Sequence, residues 1–545
     1  MKKKKLLEST KRKLAIAGLV LVLAIIIVLQ KIYYLAHDPI VAKDCPPITP
    51  EQPDPSVSAA TDTRSGPDIS LPWSQRGGTV NDASCLDRTE VYGVVQVKKP
   101  EDVKEAIAFA KSRNLKVSIA GVKHSMGGQA FAKNGVVLDM RQFNQVVLNE
   151  KARTITVQAG ATWHDIQNFL HPKYAVKAMQ STDIFTVGGS ISVNAHGMDH
   201  NIGSLSNTVR SMRVMMADGT IEVVSPTQNR DLYRHVLGGY GLFGVVLDAT
   251  IDITENAVYH RQYSIIDYKQ FPDIFTKELS NPDNKYGLFY GHLSTAPSSF
   301  LKEMQLYKYQ TTSEKDAEIP PLGDVANIGL LRFILNFAKY GSLQKELKWY
   351  VETRVAPKMD PCDVVSRNQA MKEGEACLVD RNEPMHDSVK YLMNDHKDET
   401  DILQEYYIPR RTFVSFVDGM RDVLTKDEAN IMNASVRVVN REDIALTYAP
   451  TDMFSVVLYV NQSTDEAGNA KMQKLTQDMI DLTTKYGGRF FLPYQIHYTV
   501  DQLERSYPEI RAFYDSKRQY DPNETFTSTM YEKHKVMLAS VKAQR

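Results

Sequence analysis

The chain has 545 residues, 43% apolar and 24% charged, a globular composition with material for roughly two to four packed units. Its 65 Lys+Arg balance 65 Asp+Glu, which excludes a general electrostatic attraction to nucleic acid. Four cysteines in so long a chain exclude a disulfide-dense scaffold, and no C-x-x-C pair of the zinc or redox kind occurs.

Lys2 to Lys5 and Lys11, Arg12 and Lys13 precede an uncharged, proline-free run from Leu14 to Leu29, with Lys31, Tyr33 and Tyr34 beyond it. At 1.5 Å per residue that run reaches about 24 Å, and extension to Leu35 with Lys31 snorkelling lets it just span a bilayer. The expectation is a single transmembrane helix within residues 1–37. The lysine excess places the N-terminus in the cytoplasm and the rest on the periplasmic or luminal side. A cleaved signal peptide is the competing reading, though no clear small-x-small site follows the run. Residues 38–80, rich in Pro, Ser, Thr, Asp and Gly, read as a linker. Cys362 with Cys377 and Cys45 with Cys85 are conceivable pairs; the sequence decides neither.

From residue 81 strands and helices alternate. Val91 to Val97 reads as a strand, Pro100 to Arg113 as a helix with Glu101 and Asp102 in its first turn, and Lys116 to Ala120 as a strand. Val136 to Asp139, Thr154 to Gln158, Met212 to Met216 and Ile221 to Val224 add short β runs. The class is α+β with a mixed sheet. The first domain is set at 81–260, a mixed α/β second domain at 261–465 with strands at Tyr286 to His292, Glu405 to Ile408 and Phe454 to Val460, and a C-terminal segment at 466–545. In the apolar stretch Ile328 to Tyr350, two readings stand: a helix packed on its own domain, or one lying at a membrane surface.

Gly239-Tyr-Gly241-Leu-Phe-Gly244 satisfies G-x-G-x-x-G, the turn that in a dinucleotide fold leads from strand to helix. Here Asp231 to Leu237 reads as helix and Val245 to Ile253 as strand, the reverse order, so that fold is rejected. Two other glycine-punctuated loops carry more weight. Ile119-Ala-Gly121-Val-Lys-His124-Ser125-Met-Gly127-Gly128-Gln129 and Thr186-Val-Gly188-Gly189 through His196-Gly197 each follow a strand. Small residues let consecutive backbone N–H groups close on an anion such as a diphosphate.

With those loops, Ser204 to Asn207 and the Gly241 to Val246 turn, the region from Tyr92 to Ile253 resembles the vanillyl-alcohol-oxidase-type FAD-linked oxidoreductases, with their p-cresol-methylhydroxylase-like FAD domain. Gln404-Glu405-Tyr406 through Pro409, Val436-Arg437-Val438, Glu442-Asp443-Ile444, Gly487-Gly488-Arg489, Tyr507-Pro508 and Asp521-Pro522 resemble the sugar-lactone and alditol oxidase branch. Thr186 to Asn207 is also similar to decaprenylphosphoryl-ribose oxidase, of the same fold family.

The resemblance implies two FAD-binding subdomains and a substrate cap. It places FAD on Ala120, Gly121, Val122, Lys123, His124, Ser125 and Gln129, on Thr186, Val187, Gly188, Gly189, Ser192, His196 and Gly197, and on Ser204 and Val246. His124 is the candidate for a covalent bond to the flavin 8α-methyl carbon, with a loop hydrogen bond as its plainer role. His196 and His200 read as loop or pyrophosphate-side residues, and no metal site is expected.

By the same resemblance the catalytic candidates are Arg437 and Glu405, on cap strands. A salt bridge between neighbouring strands is the plain alternative. After Gly-Gly-Arg the sugar oxidases carry His-Trp-x-Lys, whereas Phe491, Leu492 and Tyr494 stand here. Tyr494 carries no cation, so charge on the reduced cofactor falls to Arg437 or His497. The implied activity is oxidation of a hydroxyl on a sugar-like, polyol or lipid-linked substrate by hydride transfer to flavin N5. The alternatives are a catalytically degenerate flavin-fold binding protein and a dehydrogenase feeding a quinone or protein partner.

Overall fold

The computed structural model describes residues 22–37, 71–281, 283–312, 319, 321–323, 325, 327–355, 371–373, 376–392 and 398–542. The lysine-rich start, residues 38–70 of the expected linker, Cys45 and Cys362 lie outside them. Cys85 is disulfide-bonded.

Three larger sheets and a two-stranded ribbon organise the described residues. In the first, Gly93–Gln96, Val136–Asp139 and Val117–Ala120 run parallel, with Trp73–Arg76 antiparallel at the edge. The crossover is the Pro100–Ser112 helix. Asp102 Oδ2 accepts from the backbone N–H groups of Lys98 and Lys99 at its start, at 2.8 and 3.1 Å. Val103, Ala106, Ile107 and Ala110, spaced i, i+3, i+4 and i+7, bury one stripe against the sheet. The second sheet takes Ile221–Val224, Val209–Met215, Val245–Glu255, Thr154–Gln158 and Val146–Asn149 in that order, with Tyr174–Val176 pairing Val245–Glu255 at its far end.

The third sheet has nine strands, and at its centre Tyr286–Leu293, Asn430–Val439, Met453–Ser463 and Glu399–Pro409 lie side by side. The Phe413–Lys426 and Glu466–Lys485 helices pack on one another. The helix Arg230–Val236, the glycine turn and the strand Val245–Glu255 follow in the order that argued against a dinucleotide turn. The mixed α/β architecture agrees with the expected class.

The transmembrane helix does not survive. Among the described residues no helix is long and apolar enough to cross a membrane, and with the span go the single-pass topology and the periplasmic or luminal placement. The expected run Leu14 to Leu29 falls on the described residues only from 22 onward, where the chain forms a helix to residue 36. Its end is fastened to the protein: Asn336 Nδ2 donates to the Leu35 carbonyl at 3.0 Å and Lys31 Nζ to the Tyr340 hydroxyl at 3.3 Å. Those contacts lie beyond the apolar run, whose described residues Val22, Leu23 and Ile25 to Leu29 are exposed.

Ile328 to Tyr350 breaks at Gly341 into the helices Ile328–Ala338 and Ser342–Tyr350. Arg332, Leu335, Asn336 and Ala338 are buried, and Leu335 packs on Met432 of the third sheet. The packed reading therefore holds for the inner face, while Leu330 and Leu343 remain exposed.

Candidate active site

The strand Val117–Ala120 delivers the first glycine loop, and the short helix Val187–Val193 opens the second. The loops meet closely. A Cβ on Gly121 would stand 2.1 Å from Thr186 Oγ1, one on Gly189 3.1 Å from the same atom, and one on Gly188 2.8 Å from the Ala159 Cβ. Only hydrogen side chains permit this approach, which leaves backbone bare along a trough. Lys123 adopts φ +59, the left-handed region that turns the loop.

A third segment closes against them. The Met126 N–H donates to the Pro493 carbonyl at 2.7 Å. Gln129 accepts from the Gly127 N–H at 2.9 Å and donates to the Leu492 carbonyl at 2.8 Å. The segment carrying Phe491 and Tyr494 is thereby clipped to the loop carrying His124. His124 is half-buried, edge-on to Phe185 with ring centroids 5.2 Å apart.

Trough and cap enclose a cavity of about 880 Å³, toward the upper end of small-molecule sites at roughly 300–1,000 Å³. Gly121 to Ser125, Gln129, Thr186, Gly188, Gly189, Ser192, His196 and Val246 line it. Ala120, Val187, Gly197 and Ser204 are not among its lining residues. Val187 is core, and a Cβ on Gly197 would meet the Met179 carbonyl oxygen at 1.9 Å, so these positions shape the trough from behind.

At the cap end, three antiparallel strands align their side chains. Arg437 pairs with Ser455, Ser455 with Tyr407, and Glu405 lies two residues before Tyr407, so all four share one face. His196 reaches this face from the second loop, its Nε2 2.6 Å from Glu405 Oε1 and 3.2 Å from the Tyr407 hydroxyl. Ser455 Oγ donates to the same Glu405 oxygen at 2.5 Å. His196, on the second loop, is therefore a hydrogen-bond partner of the catalytic candidate Glu405.

Burial alone would raise the Glu405 carboxyl, but His196, Ser455 and Arg437 outweigh it and hold it below the usual carboxylate range. The site thus keeps an ionised carboxylate in a dry place. Tyr494 hydrogen-bonds toward Glu405; burial first, then that negative charge, push its phenol well above its ordinary value, so it is a neutral donor. Arg437 is half-buried on the cavity wall.

His497 is not a lining residue, and burial lowers its imidazole to about 4, leaving it uncharged near neutral pH. Ser455, Tyr407 and the pairing of His196 with Glu405 were not foreseen. The strand alternation Glu405, Tyr407 could have suggested Tyr407, but nothing local signals a contact across 209 positions.

The apolar half of the cavity runs from this point to the Ile328–Ala338 and Ser342–Tyr350 helices, where Leu330, Leu331, Ile334, Leu335 and Trp349 line it. Its mouth carries the exposed Leu330.

Residues 91–225 match the FAD binding domain family and residues 345–534 the D-arabinono-1,4-lactone oxidase family. Decaprenylphosphoryl-beta-D-ribose oxidase of Mycolicibacterium smegmatis is 32% identical over 169 residues, 30% of this chain and 37% of that protein. L-gulonolactone oxidase of Mus musculus is 28% identical over 189 residues, 34% of this chain and 40% of that protein. An uncharacterized oxidoreductase of the fasciation locus of Rhodococcoides fascians is 35% identical over 175 residues, 32% of this chain and 40% of that protein. The aligned stretches span two fifths or less of these relatives. Glycine trough and family matches agree: the chain carries an FAD-binding domain, FAD is its cofactor, and its second half is similar to the D-arabinono-1,4-lactone oxidase family.

Proposed function

We propose that the protein oxidises a hydroxyl-bearing carbon of an amphiphilic substrate, one with a sugar-like or polyol head and an apolar tail. One observation carries this reading: the ionised Glu405, held by His196 and Ser455 beside Arg437, lines the same cavity as the glycine trough.

The trough fits the cofactor on geometry, because any Cβ at Gly121 would close it against Thr186. FAD bound there supplies the two-electron acceptor for a substrate C–H bond. The chain's own groups do the rest. Tyr494, neutral, turns its one O–H from Glu405 to a substrate oxygen and orients it. As the C–H bond breaks, the substrate hydroxyl becomes acidic and its proton passes to the Glu405 carboxylate, leaving a carbonyl product. His196 and Ser455 fix that carboxylate in place. The Arg437 guanidinium offsets negative charge developing along the cavity wall.

The apolar chamber beside Leu331, Ile334 and Leu335 supports the tail. Both named relatives suit the head: one is named for a decaprenylphosphoryl ribose, the other for a sugar lactone. Anaerobic reduction of the protein-bound flavin tests the proposal, with alkyl or polyprenyl sugars set against free polyols and lactones. Bleaching of the visible flavin absorbance by the tailed compounds at the lowest concentrations is expected. A flavin that stays oxidised with every hydroxyl compound would favour a binding role and overturn the proposal.

A further inference from the structure

A second group of donor side chains lies outside the cavity lining. His164 sits in the first turn of the Trp163–Leu170 helix, Asp183 in the loop running to Thr186, and His386 just after the short turn Glu383–Met385. Their donor atoms lie within 4.8 Å of one another. Both imidazoles present Nδ1 to the same atom, Asp183 Oδ2, at 2.8 Å from His164 and 3.1 Å from His386. Gln167 Oε1, on the next turn of the His164 helix, is 3.0 Å from His386 Nδ1.

The carboxylate is fully buried, and its other oxygen, Oδ1, has no hydrogen-bond partner. Leaving a buried carboxylate oxygen unmatched is costly unless something else collects it. We propose that His164, Asp183 and His386, with the Gln167 oxygen, form a binding site for one divalent transition cation of the zinc class.

The donor set is two imidazole nitrogens with two oxygens, which favours Zn²⁺ over Mg²⁺ or Ca²⁺. The donor atoms, now at hydrogen-bond distances of 2.8 and 3.1 Å and all within 4.8 Å of one another, would re-space to roughly 3.4 Å around a tetrahedral cation about 2.1 Å from each. In the metal-free protein each Nδ1 carries a hydrogen bond to the carboxylate. On binding, a neutral imidazole moves its proton from Nδ1 to Nε2 through solvent and turns the freed Nδ1 lone pair to the cation; an imidazolium releases its Nδ1 proton to solvent and keeps that on Nε2. His164 is 27% exposed at its side chain and offers the way in.

The site joins three segments that matter to the cavity. One is the His164 helix. A second is the loop from Asp183 into Thr186, and the third is the stretch from His386 to Tyr391, whose Val389 and Tyr391 pack on Ile184 and line the cavity. A bound cation would pin the cap stretch onto the cofactor loop.

Equilibrium dialysis of the metal-stripped holoprotein against micromolar Zn²⁺, with metal measured by mass spectrometry, tests this. One equivalent per chain is expected, with FAD content unchanged. His386→Ala and His164→Ala should each weaken uptake at least tenfold. Zn²⁺ should raise the melting temperature of the parent protein but not of His164→Ala. Because His164 is partly exposed, that variant decides the matter if His386→Ala does not fold. Equal zinc uptake by the parent and His164→Ala, or no uptake above the dialysis buffer, would overturn the site.

Discussion

Glu442 links stability to pH in a way that can be isolated. Its side chain is buried behind the second cofactor loop, accepting from Asn194 Nδ2 at 2.7 Å and from the Thr447 hydroxyl at 2.8 Å. Asn194 caps the Val187–Val193 helix in the left-handed conformation, and the chain then leads to His196. Burial raises the Glu442 carboxyl from 4.5 to about 7, with the hydrogen bonds opposing it. A raised acid pKa means that the folded protein binds more protons than the unfolded chain. Glu442 therefore favours folding most below pH 4.5 and loses that contribution as pH rises toward 7. A shift of this size, at about 1.4 kcal/mol per unit, amounts to about 3 kcal/mol. Glu442→Gln keeps an acceptor for Asn194 and removes the titration. Denaturant unfolding of both proteins at several pH values reads the difference. Asp82, also raised to about 7 by burial, is common to both and cancels. The parent should lose about 3 kcal/mol relative to Glu442→Gln between pH 4.5 and 7, then run parallel above. A flat difference, or one of opposite slope, would refute the assignment of a buried, proton-holding Glu442.

Glu405→Gln should slow substrate-dependent flavin reduction by about 10² to 10⁴ while leaving bound FAD unchanged; stopped-flow reduction with unaltered kinetics would remove Glu405 from the chemistry. Gly121→Val should lower FAD retention on desalting roughly ten- to a hundredfold, since its Cβ alone would meet Thr186 Oγ1 at 2.1 Å; a flavin content equal to the parent's would show that the loops yield. For covalency at His124, acid precipitation should leave yellow colour in the pellet of the parent protein and release it to the supernatant from His124→Ala. A yellow supernatant from the parent would refute the bond while leaving FAD binding intact.

The loops were legible because their requirement is local. Glycine next to Thr186 or the Ala159 Cβ is a backbone demand written in consecutive letters, so 121–129 and 186–197 could be singled out without knowing what they touched. Short alternating strands such as Val117–Ala120 and Val245–Glu255 were legible for a similar reason. Strand Val258–Asp267 was not, because its side chains are mostly half-buried and no clear two-residue rhythm shows.

What failed to show was environment. His497 is an imidazole in any sequence, and only its buried setting lowers it to about 4 and leaves it neutral. Ile328 to Tyr350 suits a lipid surface in sequence because its crowded apolar residues are joined by basic ones at Arg332, Lys339, Lys345 and Lys348. Part of that apolarity packs on Met432, and part faces the interior of the cavity through Leu331 and Ile334. A cavity wall and a membrane face thus make the same demand on a helix, and composition cannot separate them; the depth of the chamber beside Glu405 can. The same reasoning explains the change at the C-terminal motif. With Tyr494 in the lysine's place, the positive charge in the proposed chemistry falls to Arg437, on a strand that precedes Tyr494 by more than fifty residues in sequence. The sheet register that aligns Arg437, Ser455 and Tyr407 puts a guanidinium on the cavity wall that the local motif alone does not reveal.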